Sequence, residues 1–394
     1  MMSAQQNKAV LGIIGCGMIA RGVHLNNAFS NPRIRVKWCC DLVQENLDYV
    51  KQNYSPELLT NNCSDILQDP EVDGIMLLTT HDVRERILIA AAEAGKHIYV
   101  EKPMSTSADE SYRIMRAIRK SGVKLVVGFN RRCAPIVGDA VKIYRDHVAN
   151  PADAPWRYIR EKEARISLRE EEATMVMMRI NDDVMSFKSY AIDETIGQGS
   201  IVGELCHFID LACFILGKEP VKVYAEGWAR VNQVLTLQFE DQSIVSIFET
   251  AVGSFDHPKE LTEIYHKGSS IILDHFMQLR VGGIEGIYKK DYPLLNDPYP
   301  HITEGEGSNL YINKMRERNR IAADMGERGF PSADKGQYNM LDKFVDCILL
   351  GSESPCNELD GARATLVTLK ARESVRSGLP VKICQDEYDF YFSH

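Results

Sequence analysis

No segment of this 394-residue chain is apolar over a length that would cross a bilayer. The start, Met1 to Lys8, lacks the order of charge, apolar stretch and small-residue cleavage site that marks a secretory leader, and the apolar run Ala9 to Ile14 is too short for that role. The ten cysteines include no CxxC spacing, and several stand in apolar runs where cysteine behaves as a small hydrophobe. A reduced thiol set is therefore expected instead of a disulfide framework or a zinc site. Excess positive charge is missing as well: the net charge of −9 argues against a general nucleic-acid binder, though it leaves room for a local basic pocket. Internal repeats and low-complexity tracts are absent. These absences point to a cytoplasmic globular protein with neither membrane nor nucleic acid as partner.

What is present divides the chain. Its length suits two domains with a large core, and 44% hydrophobic with 26% charged residues is ordinary for a globular protein. Val10 to Ile14 reads as a buried strand, followed at once by Gly15-Cys16-Gly17-Met18-Ile19-Ala20 and a helical stretch to Phe29. In that context a GxGxxA string is a dinucleotide loop. Gly15 permits the tight turn, Gly17 lets backbone amides approach a pyrophosphate, and Ala20 is small enough for helix to pack on strand. The next strand, Ile34 to Cys40, ends at Asp41, about 20 residues beyond the loop, where a carboxylate recognises ribose hydroxyls. It would repel a 2′-phosphate, and Leu42 offers no cation to welcome one, so NAD is favoured over NADP. The alternative is that Asp41 caps the following helix.

Alternation continues through a strand at Val72 to Leu78, a loop Thr79-Thr80-His81-Asp82, a helix at Val83 to Gly95, a strand ending in Glu101-Lys102-Pro103, a helix at Ala108 to Ser121 and a strand at Lys124 to Gly128. This predicts a doubly wound α/β domain over residues 1–130. Its Glu101-Lys102-Pro103 tripeptide puts a carboxylate and an ammonium at a strand's carboxyl end, where ligands of such sheets sit.

Residues 131–394 read differently. A charge-rich stretch at 152–172 suggests a solvated helix or insertion. Strand patterns at Val221 to Glu226, Val234 to Phe239, Ser243 to Ala251, Leu261 to His266 and Ser270 to Leu273 predict an antiparallel sheet. Residues 281–325 look irregular, and helices are expected at Lys335 to Leu350 and Leu359 to Gly378. Between these parts lies an apolar helix, Gly203 to Gly217, interrupted by Glu204, His207 and Asp210. Their spacing of three brings neighbouring members onto one face. A polar stripe on a buried helix must meet partners or a ligand, and flanking carboxylates can raise a histidine's basicity. His207 therefore reads as functional, whereas Asp210 could equally tie the helix to a neighbour. No second histidine stands at ligand spacing, so no metal is expected.

Together these motifs resemble the Gfo/Idh/MocA family of NAD(P)-dependent oxidoreductases acting on sugars and cyclitols. Further similarity lies in Val127-Gly128-Phe129-Asn130-Arg131-Arg132 and Arg179-Ile180-Asn181. The resemblance implies an open antiparallel sheet in the second domain, often used to form dimers or tetramers. It implies that Lys102 sits beside the nicotinamide and His207 beside the reacting carbinol. The same likeness puts Gly15, Cys16, Gly17, Met18, Ile19, Asp41, Thr79, Thr80, His81, Glu101 and Asn130 with the cofactor. Arg131, Arg179, Asn181, Glu204 and Asp210 fall with the substrate. Two positions depart from the family pattern: Gly203 stands where many relatives have an aspartate, and Arg84 where a histidine is usual.

Chemistry supports those roles. Oxidising a secondary alcohol requires a base for the hydroxyl proton, which suits His207, and a cation that stabilises alkoxide character, which suits Lys102. The expected activity is NAD-dependent dehydrogenation of a sugar, glycoside or cyclitol. Two alternatives are glycoside cleavage through transient oxidation by bound NAD, with Tyr288, Tyr292, Tyr299 or Tyr311 as acid or stacking groups, and a non-catalytic NAD-binding regulator.

Overall fold

The computed structural model describes residues 8–149, 173–182, 199–228, 230–284, 286, 289–325 and 331–392. The charge-rich stretch 152–172 and Tyr288 lie outside them. The described chain forms two compact units, one comprising residues up to Cys133 with Gly336–Leu366 and the chain from Gln385, the other Ala134–Lys335 with Val367–Cys384.

The first unit is built on strands β1 (Ala9–Ile14), β2 (Ile34–Cys40), β3 (Leu58–Thr60), β4 (Gly74–Leu77), β5 (His97–Val100) and β6 (Leu125–Val127). They form one sheet in the order β3-β2-β1-β4-β5-β6, every pair parallel. Parallel strands need long crossovers, and helices on both faces bury them, which is why β4 and β6 are apolar throughout. Strand order reverses at β1 and β4, so the carboxyl ends of these strands open a crevice where such folds bind ligands. The residues after β1, β2, β5 and β6 are Gly15, Asp41, Glu101 and Gly128, and Thr79 follows β4 within two residues. The sequence-derived candidates of this unit therefore stand on one edge of one sheet.

The expected helix at Ile19 to Phe29 is a π-helical turn at Ala20–His24 running into an α-helix at Leu25–Ser30. Single π turns occur often at functional sites. The helix Ala108–Ser121 matches its expected span, with the Ser107 side chain accepting from Glu110 N and Gly122 closing it at φ 70°.

The second unit carries β7 (Met175–Asn181), β8 (Pro220–Trp228), β9 (Val231–Phe239), β10 (Ile244–Thr250), β11 (Glu260–His266), β12 (Ser269–Asp274), β13 (Gln278–Gly282), β14 (Lys289–Asp291) and, late in the chain, a two-residue strand Val381–Lys382. They make a nine-stranded sheet in the order β14-β13-β12-β11-β7-β10-β9-β8 with Val381–Lys382 at the edge beside β8. The expected antiparallel sheet is present with one exception: β7 and β10 pair in parallel, and every other neighbour is antiparallel. The reason is connectivity. More than sixty residues, including a helix and two strands, separate β7 from β10, long enough for a parallel return.

The reading of 281–325 as irregular also needs correction, because Ser308–Met325 is an eighteen-residue helix. Charge hides it: Tyr311, Lys314 and Met315 form its buried stripe. The Lys314 ammonium, 3% exposed, donates to Asp297 Oδ2 (2.9 Å), Tyr299 O (2.7 Å) and Ile302 O (2.7 Å), so a charged residue occupies a core-facing position. The helix Cys206–Leu216, which carries His207 and Asp210, ends at Gly217 (φ 66°), as its sequence predicts, and is preceded by a second π-helical turn, Ile201–Leu205.

Candidate active site

The glycine loop is shaped for close approach. Gly15 has φ 95°, and a side-chain carbon there would lie 2.9 Å from the Leu78 backbone. Gly17 faces open space. Cys16 is fully buried, while Met18 and Ile19 are exposed beside it. Asp41 braces the loop: its Oδ2 accepts from Cys16 N (2.7 Å) and its Oδ1 from Val43 N (2.8 Å). The helix Gln44–Asn53 begins without a side-chain cap, so Asp41 turns the chain before it without capping it. Each carboxylate oxygen keeps a second lone pair for a ribose hydroxyl. The Cys39 thiol hydrogen-bonds to Cys16, which, with burial, holds Cys39 protonated far above its usual range. All ten cysteines are free thiols. A dinucleotide's phosphates and ribose fit these features, with Gly15 to Ile19 and Asp41 as the residues that would hold them.

A guanidinium joins the next two loops. Arg84, 5% exposed, donates through Nε and Nη2 to Thr79 O (3.1 and 2.7 Å) and through Nη1 to Pro103 O (2.5 Å). This residue thus fixes the loop after β4 against the loop carrying Lys102. Thr80 Oγ1 donates to Asp82 Oδ1 (2.6 Å), and His81 is half-buried beside them. Burial, then the positive charges of Arg84 and Lys102, push the His81 imidazole down to about 3, so it stays neutral near neutral pH.

Glu101 is buried, and its Oε1 lies 2.6 Å from His24 Nε2. Its Oε2 accepts from the Lys102 backbone N–H at 3.1 Å. Burial pushes this carboxyl up, but the His24 hydrogen bond and the charges of His24, Lys102 and Arg84 outweigh it and hold it below the ordinary carboxylate range. Asn130 and Arg131 are buried on the short helical turn Asn130–Cys133 after β6. His24 carries no motif in the sequence. The one available signal is a histidine on an otherwise apolar helix face, in the turn that follows the glycine loop.

In the second unit, His207 (5% exposed) and Asp210 (3%) are buried on the Cys206–Leu216 helix. Glu204, one turn earlier, accepts from Lys259 Nζ at 2.9 Å, and the same ammonium lies 2.9 Å from Asp182 Oδ2. Close by, Glu249 accepts from Ser200 Oγ at 2.6 Å. Burial raises the Asp182 carboxyl despite Lys259. Burial, opposed by the Ser200 bond and reinforced by Glu204 and Asp182, pushes Glu249 up to about 8. A carboxylic acid, an ammonium and a further acid are thus gathered around Glu204, which stands one helical turn before the histidine.

Asn181 donates through Nδ2 to Ser254 O (2.7 Å) and His257 O (3.2 Å), and Arg179 Nη1 donates to Pro258 O (3.0 Å). Both therefore hold the 254–258 turn. Strand alternation puts Arg179 on the sheet face opposite Glu249, since Glu249 is in register with Ile180 and Arg179 with Phe248. Tyr299 and Tyr311 are buried in packing. No cluster of three or more possible metal ligands occurs among the described residues.

Residues 10–129 match the description of an oxidoreductase family with an NAD-binding Rossmann fold, and residues 174–383 match the C-terminal alpha/beta domain of the same family. The chain belongs to the Gfo/Idh/MocA oxidoreductase family. It is 27% identical over 385 residues to an uncharacterized oxidoreductase, YrbE, of Bacillus subtilis, covering 95% of this chain and 96% of that one. It is 29% identical over 378 residues to the scyllo-inositol 2-dehydrogenase (NAD(+)) of the same organism, covering 94% and 95%. Among solved structures, an oxidoreductase from Agrobacterium radiobacter in complex with NAD+, L-tartaric acid and magnesium shares the fold, with a TM-score of 0.73, 16% identity and coverage of 95% and 98%.

The buried groups set opposite pH dependences. Glu249, at about 8 against an ordinary 4.5, contributes stability that is complete below 4.5 and lost as pH rises through about 8. His81, and His275 buried just after β12, are both pushed down from 6.5 to about 3 chiefly by burial, and contribute stability that is present above 6.5 and lost as pH falls toward 3. Urea unfolding should therefore show Glu249→Gln gaining on the wild type between about pH 5 and about pH 9. A constant difference across that range would contradict the raised acid.

Proposed function

We propose that this oxidoreductase transfers a hydride between NAD and a secondary hydroxyl or ketone of a cyclitol or sugar. The observation that carries the reading is the edge of the first sheet, where a braced glycine loop and Lys102 follow strand ends of one parallel array. The match to the scyllo-inositol 2-dehydrogenase (NAD(+)) along nearly its full length supports the substrate class. Asp41 favours NAD over NADP, because a carboxylate repels a 2′-phosphate and the exposed Leu42 and Val43 after it supply no cation.

Bound to the loop, the dinucleotide supplies a nicotinamide that accepts or returns the hydride. The protein's residues do the rest. Backbone N–H groups around Gly15 and Gly17 take the phosphates, and Asp41 takes the ribose. Lys102 holds the carbinol oxygen and favours its alkoxide character. His207 removes the hydroxyl proton in oxidation and returns it in reduction. Lys259 holds Glu204, which stands one helical turn before the base.

The outer face of the nine-stranded sheet supports self-association. Met175 and Tyr265 are in register across β7 and β11, and Val234 and Phe248 across β9 and β10; each is at least 40% exposed. Contiguous exposed apolar side chains on a sheet face mark an interaction surface. A second copy of this chain is the occupant assigned to it.

Lys102→Ala should retain NAD binding by titration calorimetry and lose about 10²- to 10³-fold in kcat, read as NADH formed from a panel of inositols and sugars. Wild-type turnover in that variant would contradict the assignment, and glycoside cleavage without net NADH would redirect it to redox-assisted elimination. By light scattering coupled to gel filtration, the wild type should be a dimer or tetramer and Phe248→Asp should shift it toward monomer. A monomeric wild type would contradict the assigned face.

A further inference from the structure

His24 is an unexpected partner for the tripeptide that carries the proposed catalytic lysine. Its imidazole is 1% exposed, and it closes the π-helical turn Ala20–His24, which begins immediately after the glycine loop. Glu101 divides its oxygens, one toward His24 Nε2 at 2.6 Å and one toward the Lys102 backbone N–H at 3.1 Å. The surroundings leave the carboxylate little freedom. The Tyr99 ring stands edge-on to the imidazole with centroids 5.5 Å apart, and Phe344 packs edge-on against Tyr99 at 6.0 Å. At Gly128 a side-chain carbon would come within 3.2 Å of Tyr99 Oη and 3.3 Å of Glu101 Oε1, so glycine keeps the site open.

We infer that His24 is a positioning residue for Lys102: by clamping Glu101 it links the helix that starts at the dinucleotide loop to the backbone of the lysine. This rests on the role of Lys102 in the proposed function. A buried carboxylate is costly unless paired and hydrogen-bonded. Glu101 is faced by His24 from the first helix, by Arg84 and His81 from the segment after β4, and by Lys102 and Tyr99 from its own strand. His24 hydrogen-bonds the carboxylate directly, at 2.6 Å. Without it, Glu101 gains affinity for a proton. A protonated Glu101 offers Lys102 neither a full negative charge nor an acceptor held in one place. Ordering of the glycine loop by a dinucleotide is thereby coupled to the lysine through the His24–Glu101 contact.

Carboxyl carbon NMR of the protein without added cofactor, with the Glu101 resonance assigned by its loss in Glu101→Gln, tests the link directly. In His24→Ala the Glu101 titration should move up by about one pH unit or more. His24→Gln, which keeps a hydrogen-bond donor, should fall between it and the wild type. With NAD and scyllo-inositol or the best substrate of the panel, the acid limb of kcat should move the same way, so that kcat of His24→Ala falls about tenfold or more below the wild type at a pH on that limb. An unshifted Glu101 titration, or unchanged kcat despite a shift, overturns the role of His24; so does a lowered melting temperature as the sole effect. If instead Lys102→Ala retains full turnover, the proposed function fails while the Glu101 shift remains, so the two failures are distinguishable.

Discussion

A buried, ionised carboxylate at the carboxyl end of β5 sets the conditions for the groups around it. Removing Glu101 from water is unfavourable by several kcal/mol unless donors and cations replace the lost hydration, as is typical of buried charges. His24 supplies a hydrogen bond at 2.6 Å, Lys102 its backbone N–H, and Arg84 a nearby positive charge. Arg84 cannot move freely to do this, because it is also donating to the Thr79 and Pro103 carbonyls. The electrostatic requirement of one carboxylate thus fixes relations among the first helix, the loop after β4 and the loop after β5. Those are the segments that parallel α/β topology brings to one sheet edge.

The second unit meets a related requirement differently. Around Lys259 the acids Asp182, Glu204 and Glu249 outnumber the nearby cation, and protonation relieves the imbalance. Glu249 therefore behaves as a neutral acid near pH 7, whereas Glu101 remains a carboxylate. The difference follows from partners: a serine hydroxyl and two further acids for Glu249, a histidine, a lysine and an arginine for Glu101.

Much of this was readable locally. The glycine loop, β1, β2 and the Ala108–Ser121 helix follow from apolar runs, glycine and capping residues that act within a few positions of one another. Lys102 was marked by its strand, and His207 by its polar neighbours on an apolar helix. Long-range pairings left no such mark. His24 and Glu101 are separated by 77 residues, and Lys259 and Glu204 by 55. Arg84 departs from the family's usual residue, yet nothing local says that it joins two loops. The Ser308–Met325 helix was obscured because its buried stripe includes Lys314, whose ammonium is satisfied by groups at 297–302. The parallel β7–β10 pair likewise depends on a connection too long for periodicity to reveal.

The central claim is that this sheet edge holds a dinucleotide and a carbinol for direct hydride transfer. Incubation with NAD and inositol deuterated at every ring carbon tests it most directly, with mass spectrometry of the recovered cofactor. The account predicts NADH heavier by one mass unit, with the deuterium on the nicotinamide ring. Product formed with unlabelled NADH, or with deuterium released to water, would contradict it.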